Sequence, residues 1–310
     1  MRALVTGGTG FIGNRLVLKL LSRGWNVVCL VRRDVEPALV NVCPLRMDLN
    51  GLDTEQLLDR VTQPVDVIFH VGAALPTPQT RVPSYLASNA VATAALLEAA
   101  ENWKVRSFVY TSTLLVIGKP RQTPISRTHP AGPTHPYALG KLCGEQICEF
   151  FRMTGRVPTT SLRLTSVFGI GMANATVLSK FSARAIQSED LFYDGTGQRM
   201  QNFVYVDDVV QACTLAADRP GCGILNAGGG ESVGMKELAE LVVQLAQGSR
   251  STVKPSGKID PQEEYRWVPD IAETEASIGY RPAMTLAAAI SEYMSALRQP
   301  SPVERWWHER

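Results

Sequence analysis

Thr6-Gly7-Gly8-Thr9-Gly10-Phe11-Ile12-Gly13 is the stretch from which the fold is read. The short apolar run Ala3-Leu4-Val5 precedes it, and Leu16, Val17, Leu20 and Leu21 follow at helical spacing. Strand, glycine-rich turn and helix in that order are the context a dinucleotide-binding turn needs. Gly7 permits the tight turn, Gly10 lets the backbone approach a pyrophosphate, and Gly13 lets helix pack on strand. The free N–H groups of the first helical turn, at Phe11 and Ile12, then face the phosphates, where the helix dipole favours negative charge.

Outward from this turn, strands alternate with helices. Val27-Val28-Cys29-Leu30-Val31 is continuously apolar, as a parallel strand buried on both faces must be. Asp66 to Val71, Ser107 to Thr111 and Thr160 to Val167 are further strands. Ser84 to Asn102 and Tyr137 to Phe151 are helices. The pattern predicts an α/β, Rossmann-type doubly wound parallel sheet. After residue 168 turn-rich segments intervene, which predicts a smaller, mixed C-terminal lobe for the substrate. The expected division is 1–168, with about 203–226, for the dinucleotide domain, and about 169–202 and 227–310 for the lobe. Phe203 to Ala217 is a strand running into a helix, expected to return to the sheet, and Trp306-Trp307 is expected to be a packed tail.

Composition narrows the function. The 310 residues carry a net charge of +2, which gives no general attraction to nucleic acid or membrane. No apolar run approaches the roughly 20 residues of a membrane span. The first strand starts at residue 3, so a cytoplasmic protein without a signal peptide is expected. The six cysteines form no CxxC and are expected to be reduced core thiols, with no metal site.

Tyr137-Ala138-Leu139-Gly140-Lys141 sets a phenol and an ammonium at i and i+4, on one helix face. A phenol titrates near pH 10, too high for acid–base work at neutrality, and a neighbouring ammonium lowers it. Thr111-Ser112-Thr113 ends the preceding strand, and ligands of open α/β sheets bind beyond the carboxyl ends of strands. Glycine turn, hydroxyls and Tyr-Lys pair therefore meet at one crevice. The end of the second strand sets cofactor choice. NAD enzymes typically place Asp or Glu there; Arg32, with Arg33 beside it, suits a 2′-phosphate instead. The expected cofactor is NADP, with NAD the alternative.

The chain resembles the extended short-chain dehydrogenase/reductases, the NAD(P)-dependent epimerase/dehydratase family. The resemblance runs through TGGTGFIG (6–13), MDL (47–49), DVIFHVGAA (66–74), SNAVATAALLEAA (88–100), FVYTST (108–113), PYALGKLCGE (136–145), LRLTSVFG (162–169), NFVYVDDVVQA (202–212), LNAGGGESVGMKELAEL (225–241) and IGYRP (278–282). It implies Thr113, with neighbouring Ser112, holding the reacting oxygen, Tyr137 as general acid/base, and Lys141 on the nicotinamide ribose. It implies Asp48 and Leu49 at the adenine and Val71, Gly72 and Ala73 along the cofactor. Asn89 matches a structural or relay asparagine, and Asp207-Asp208 an acidic pair that starts a helix. Thr165, Ser166, Arg199 and Gln201 are assigned to substrate.

Departures from the family pattern shape the expected activity. Dehydratases of the family carry Asp-Glu after the Thr, where this chain has Leu114-Leu115, so a 4,6-dehydratase is not expected. Gln201 stands where epimerases usually hold a diphosphate-binding Arg, with Arg199 two residues earlier and Arg266 the only second candidate. The expected activity is hydride transfer between nicotinamide and a hydroxyl or ketone carbon of a sugar-nucleotide-like or other polar substrate, first as a reductase. The alternative is an NAD-dependent nucleotide-sugar 4-epimerase; a non-catalytic dinucleotide-sensing protein is the third reading. The resemblance also implies a homodimer through a four-helix bundle of the helices starting near Ser84 and at Tyr137.

Overall fold

The computed structural model describes residues 1–77, 80–173, 176–299 and 302–309. Strand β1 (Arg2–Thr6) leads through the glycine turn into α1 (Phe11–Ser22) and β2 (Asn26–Val31). A short β3 (Val35–Pro37) precedes β4 (Val42–Arg46), and α2 (Thr54–Arg60), capped by the Asp53 side chain, returns the chain to β5 (Val67–His70). Next come α3 (Val82–Leu86), a π-helical turn (Ala87–Val91) and α4 (Ala92–Trp103), one helical run where a single helix was expected. Strand β6 (Ser107–Thr113) ends in a 3₁₀ turn (Leu114–Ile117), and α5 (Pro136–Met153) and β7 (Thr159–Leu164) follow.

All of these strands except β3, with one later strand, form a parallel sheet of seven. In chain order the remaining elements are β8 (Ser166–Phe168), α6 (Val177–Ile186), β9 (Leu191–Tyr193), β10 (Met200–Tyr205), α7 (Val206–Asp218) and β11 (Gly223–Ala227). After these come β12 (Ser232–Gly234), α8 (Met235–Leu245), β13 (Val253–Pro255), α9 (Ala272–Ile278), α10 (Leu286–Arg298) and β14 (Trp307–Glu309). The large sheet runs β11-β7-β6-β5-β1-β2-β4, the Rossmann-type arrangement expected. From β1 the chain builds outward to β4, then jumps back across β1 to β5 and builds the other way. The switch point, where ligands bind in such sheets, is therefore the gap between the carboxyl ends of β1 and β5.

Each face of the sheet buries its own core. Leu16, Val17 and Leu20 of α1 and Val209, Val210 and Cys213 of α7 pack on one face with Val5, Val27 and Phe69. Leu57, Leu96, Leu97 and Phe151 cover the other with Leu4, Ile68 and Phe108. A third core joins α6, α8 and α10 to the small sheet β12-β10-β8 and forms the mixed lobe. No helix among the described residues is long and apolar enough to cross a membrane.

Two segments pair differently from the sequence expectation. Thr160 to Val167 is not one strand: β7 stays in the large sheet, and after Thr165 the chain passes into β8 of the small sheet. The strand at Phe203 does not rejoin the large sheet; β10 pairs with β8 and β12, while β11 returns to the sheet edge beside β7. Which strands lie alongside sets the pairing, and the residues of neither segment specify that, so pattern alone does not reveal a change of partner.

The turn has no room for side chains on its inner side. A Cβ added at Gly13 would lie 2.1 Å from the Gly7 carbonyl oxygen, a backbone atom that cannot swing away. Overpacking of this kind costs about 1–3 kcal/mol. Gly13→Ala should lower the unfolding free energy by that amount and move the urea midpoint down accordingly, whereas Gly230→Ala, where a Cβ meets nothing within 4 Å, should leave the midpoint unchanged. Equal midpoints for the two variants would contradict the packing described.

Candidate functional site

The glycine turn sits at the switch point. Gly7 has φ +69°, and a Cβ there would stand 2.6 Å from Gly72 Cα, so the ends of β1 and β5 touch backbone to backbone. Leu49 reaches the same spot, its Cδ1 2.8 Å from where a Gly72 Cβ would be. Gly7, Gly10, Phe11, Ile12, Gly13, Leu49 and Gly72 thus converge, with Val71 and Ala73 on either side of Gly72 and partly buried. Helix α1 starts at Gly10 without a side-chain cap, and no acidic residue stands in its first turn. Its first amides are left for an outside acceptor, which fits the phosphates of a dinucleotide.

The adenosine end is less defined. Asp48 is exposed, and its carboxylate accepts from the Asn50 amide at 3.0 Å. Arg32 and Arg33 are exposed past the end of β2, and neighbouring Asp34 is drawn off to Arg46 at 2.8 Å.

A buried relay ties the turn to the helix behind it. Thr93 Oγ1 donates to Asn89 O at 3.0 Å, so its contact with His70 Nε2 at 3.1 Å is one it accepts. His70 is therefore protonated on Nε2, and Nδ1 accepts from the Thr6 hydroxyl at 2.7 Å. Thr6 Oγ1 in turn accepts the Gly72 amide at 2.9 Å. Burial, reinforced by the charge of Lys141, holds His70 well below its usual range, so the ring stays neutral and the relay keeps one direction. Asn89 closes the network by accepting the Ala74 amide through its side chain at 2.8 Å.

Strand β6 and helix α5 bring the hydroxyls and the Tyr-Lys pair together. Lys141 Nζ donates to Thr111 O at 2.6 Å and lies 4.7 Å above the Tyr110 ring. Tyr110 donates to Asn89 O at 3.2 Å and is within 3.4 Å of Lys141 O, which fixes α5 against β6. Thr113 Oγ1 accepts the Leu115 amide at 3.3 Å, and Ser112 Oγ is buried without a partner. His135 caps α5 by accepting the Tyr137 amide at 3.0 Å, and Tyr85 meets both His135 and Tyr137 edge-on. Beneath them Arg163 grips Glu145 in a fork of 2.9 and 2.8 Å and also donates to Arg127 O.

The electrostatics differ from the expectation. Burial pushes Lys141 down to about 7, opposed by Cys148 and Glu145. Burial pushes Tyr137 up to about 12 rather than down. The spacing of the pair was read correctly, but its consequence was not. The ammonium is spent on the Thr111 carbonyl, and the cost of burying a phenolate outweighs its attraction.

The residues assigned to substrate fall into two groups. Gln201 Nε2 donates to Ser166 Oγ at 2.6 Å across β10 and β8, and the neighbouring Thr165 hydroxyl is buried without a partner. Arg199 Nε is bonded to the buried Asp260 at 2.7 Å. Arg266 donates to the carbonyls of Glu263 and Tyr265 and stabilises its own turn. Asp207 and Asp208 stand in the first turn of α7 without capping it; Asp208 instead accepts the Ala283 amide at 2.7 Å.

Sequence reasoning did not find Thr6, His70 and Thr93 as a relay. The quoted blocks contained all three, but their partnership depends on β1, β5 and α4 meeting. Nor did it place the tail: Trp306 is fully buried and its Nε1 donates to Gly8 O at 2.8 Å.

Comparison with known proteins agrees with this geometry. A model of the NAD dependent epimerase/dehydratase family matches residues 3–228. An uncharacterized UDP-glucose epimerase, YtcB, of Bacillus subtilis is 28% identical over 96% of this chain and 99% of its own length. A UDP-N-acetyl-alpha-D-glucosaminuronate decarboxylase of Bacillus cytotoxicus is also 28% identical, over 96% of this chain and 98% of its own. Among solved structures, MoeE5 in complex with UDP-glucuronic acid and NAD superimposes with a TM-score of 0.83 at 28% identity, covering 97% of this chain and all of that one.

Proposed function

The chain belongs to the NAD dependent epimerase/dehydratase family, and on that premise we propose that it is an NAD-dependent nucleotide-sugar 4-epimerase acting on a UDP-hexose. The observation that carries the proposal is the set Thr113, Tyr137 and Lys141 at the switch point with no carboxylate after Thr113. Leu114 is buried there and Leu115 exposed, so the site lacks the acid that expulsion of water needs. The names of the relatives and the NAD in MoeE5 favour the epimerase over a reductase, and NAD over NADP. The reductase reading rested on Arg32 and on the missing dehydratase acids, and those missing acids fit an epimerase equally well.

The residues divide the work as follows. Phe11 and Ile12 offer first-turn amides to the pyrophosphate, and Gly7 and Gly72 let it lie close. Arg199 uses only Nε for Asp260, which leaves its terminal nitrogens for a substrate diphosphate. Thr113 holds the sugar hydroxyl, and Tyr137 takes its proton. An oxidised nicotinamide, when bound, supplies the hydride acceptor and a positive charge. That charge, added to Lys141, opposes the burial that holds the Tyr137 phenol neutral. After the ketone turns, Tyr137 returns the proton as hydride comes back on the other face.

Assembly follows from the same helices. Val91 on the π-turn is 60% exposed and Phe150 on α5 is 55% exposed, large apolar groups on two adjoining helices. A homodimer burying both, through a four-helix bundle, is the proposed form. Sedimentation should give a dimer at micromolar concentration and a monomer for Val91→Glu; a monomeric wild type would contradict it.

The purified protein should carry NAD and convert UDP-glucose to its 4-epimer by NMR without net NADH. Tyr137→Phe should lose about 10²–10⁴-fold in turnover and keep its NAD. Loss of carbon dioxide from a UDP-uronic acid, or near-normal turnover by the variant, would contradict the proposal.

A further inference from the structure

A second cleft lies beside the glycine turn. It opens between the first turn of α1, the Ile170-Gly171 turn and the C-terminal tail, and holds some 390 Å³ counting its mouth. The tail is fastened in place. Trp306 Nε1 donates to Gly8 O, Asn14 Nδ2 donates to Glu304 O at 2.8 Å, and the Ala38 amide donates to Trp306 O at 2.6 Å. Strand β14 then pairs antiparallel with β3. The cleft is thus a built feature with two walls from opposite ends of the chain.

Three buried polar atoms of its lining have no hydrogen-bond partner among the described residues: Asn14 Oδ1, Arg15 Nε and Trp307 Nε1. Asn14 and Trp307 are only 6% and 8% exposed, so bulk water does not reach them freely. The Asn14 amide orientation is fixed by its bond to Glu304 O, which leaves Oδ1 as the free acceptor. Arg15 Nε stands 3.9 Å from Asp207 Oδ1, beyond hydrogen-bond distance. Arg305, whose guanidinium lies 4.9 Å from the centre of the Trp307 ring, adds a second cation to the lining, and no acidic residue lines the cleft. The uncapped, positive end of α1 faces the same region through Gly10.

Buried polar groups are nearly always satisfied, so three that converge define a complement. Two N–H donors and two guanidinium groups call for an oxyanion, and a free acceptor calls for a hydroxyl on it. A phosphoryl group that keeps one proton near neutral pH supplies both, whereas a carboxylate has no proton to give Asn14. We propose that this cleft binds a phosphoryl group, held by Arg15, Arg305 and Trp307 Nε1 and read by Asn14 Oδ1. Free phosphate offers that chemistry; the diphosphate bridge of a dinucleotide does not, because its phosphoryl groups keep no proton at neutral pH, although Gly10 belongs to both the cleft and the turn.

Calorimetric titration with inorganic phosphate tests this, on the purified protein with and without saturating NAD. One saturable site is expected, weakened about tenfold or more by Arg305→Ala and by Trp307→Phe. The second variant removes only the N–H and keeps the ring, and an unchanged melting temperature certifies its fold. Binding that persists with NAD present assigns the cleft to free phosphate. Binding that NAD abolishes places the phosphate in the cofactor cradle and overturns the proposal. No saturable phosphate binding, or equal binding by wild type and both variants, would overturn the proposal.

Discussion

The approach of Gly7 to Gly72 governs the arrangement of the molecule. A Cβ on Gly7 would overlap Gly72 at 2.6 Å, so the carboxyl ends of β1 and β5 meet with nothing between them. That contact closes the switch point of the sheet to side chains and leaves its mouth to a ligand. Thr6 holds it: one hydroxyl accepts the Gly72 amide and donates to His70.

From there the order passes inward without a break. His70 donates its one ring N–H to Thr93, Thr93 donates to Asn89 O, and Tyr110 donates to the same carbonyl. Tyr110 and Lys141 lock α5 to β6, so the helix bearing Tyr137 takes its position from the network that sets the turn. All of these groups are buried, and one left unpaired costs about 1–3 kcal/mol, which makes the arrangement two-sided. It holds the glycine turn and the helix bearing Tyr137 in one register. The same burial keeps Tyr137 protonated and Lys141 poised near neutrality, so the site gains its basicity only as positive charge is added to it.

Much of this was legible in the residues. The glycine turn, the alternation of strand and helix and the Tyr137-Lys141 spacing are local signals, and each governs local geometry. The partner change at Thr165 was not legible, because Thr165 alone separates β7 from β8 and the two differ in what lies beside them. The tail was legible only as apolar: Trp306 and Gly8 are 298 residues apart, and no spacing rule links them. The rise of Tyr137 was hidden for a related reason. Two residues four apart predict proximity, but the balance of burial against charge depends on everything packed around them. Arg32 left the cofactor open in the same way, since a residue type suited to a 2′-phosphate does not fix which dinucleotide is bound.

The central claim is that one crevice removes a hydride from a sugar carbon and returns it to the same carbon. UDP-glucose carrying deuterium at C4 measures this directly. The account predicts a 4-epimer that retains the deuterium at C4, in unlabelled water and without added cofactor. Washout of the label to solvent, or its accumulation in released NADH, would contradict it.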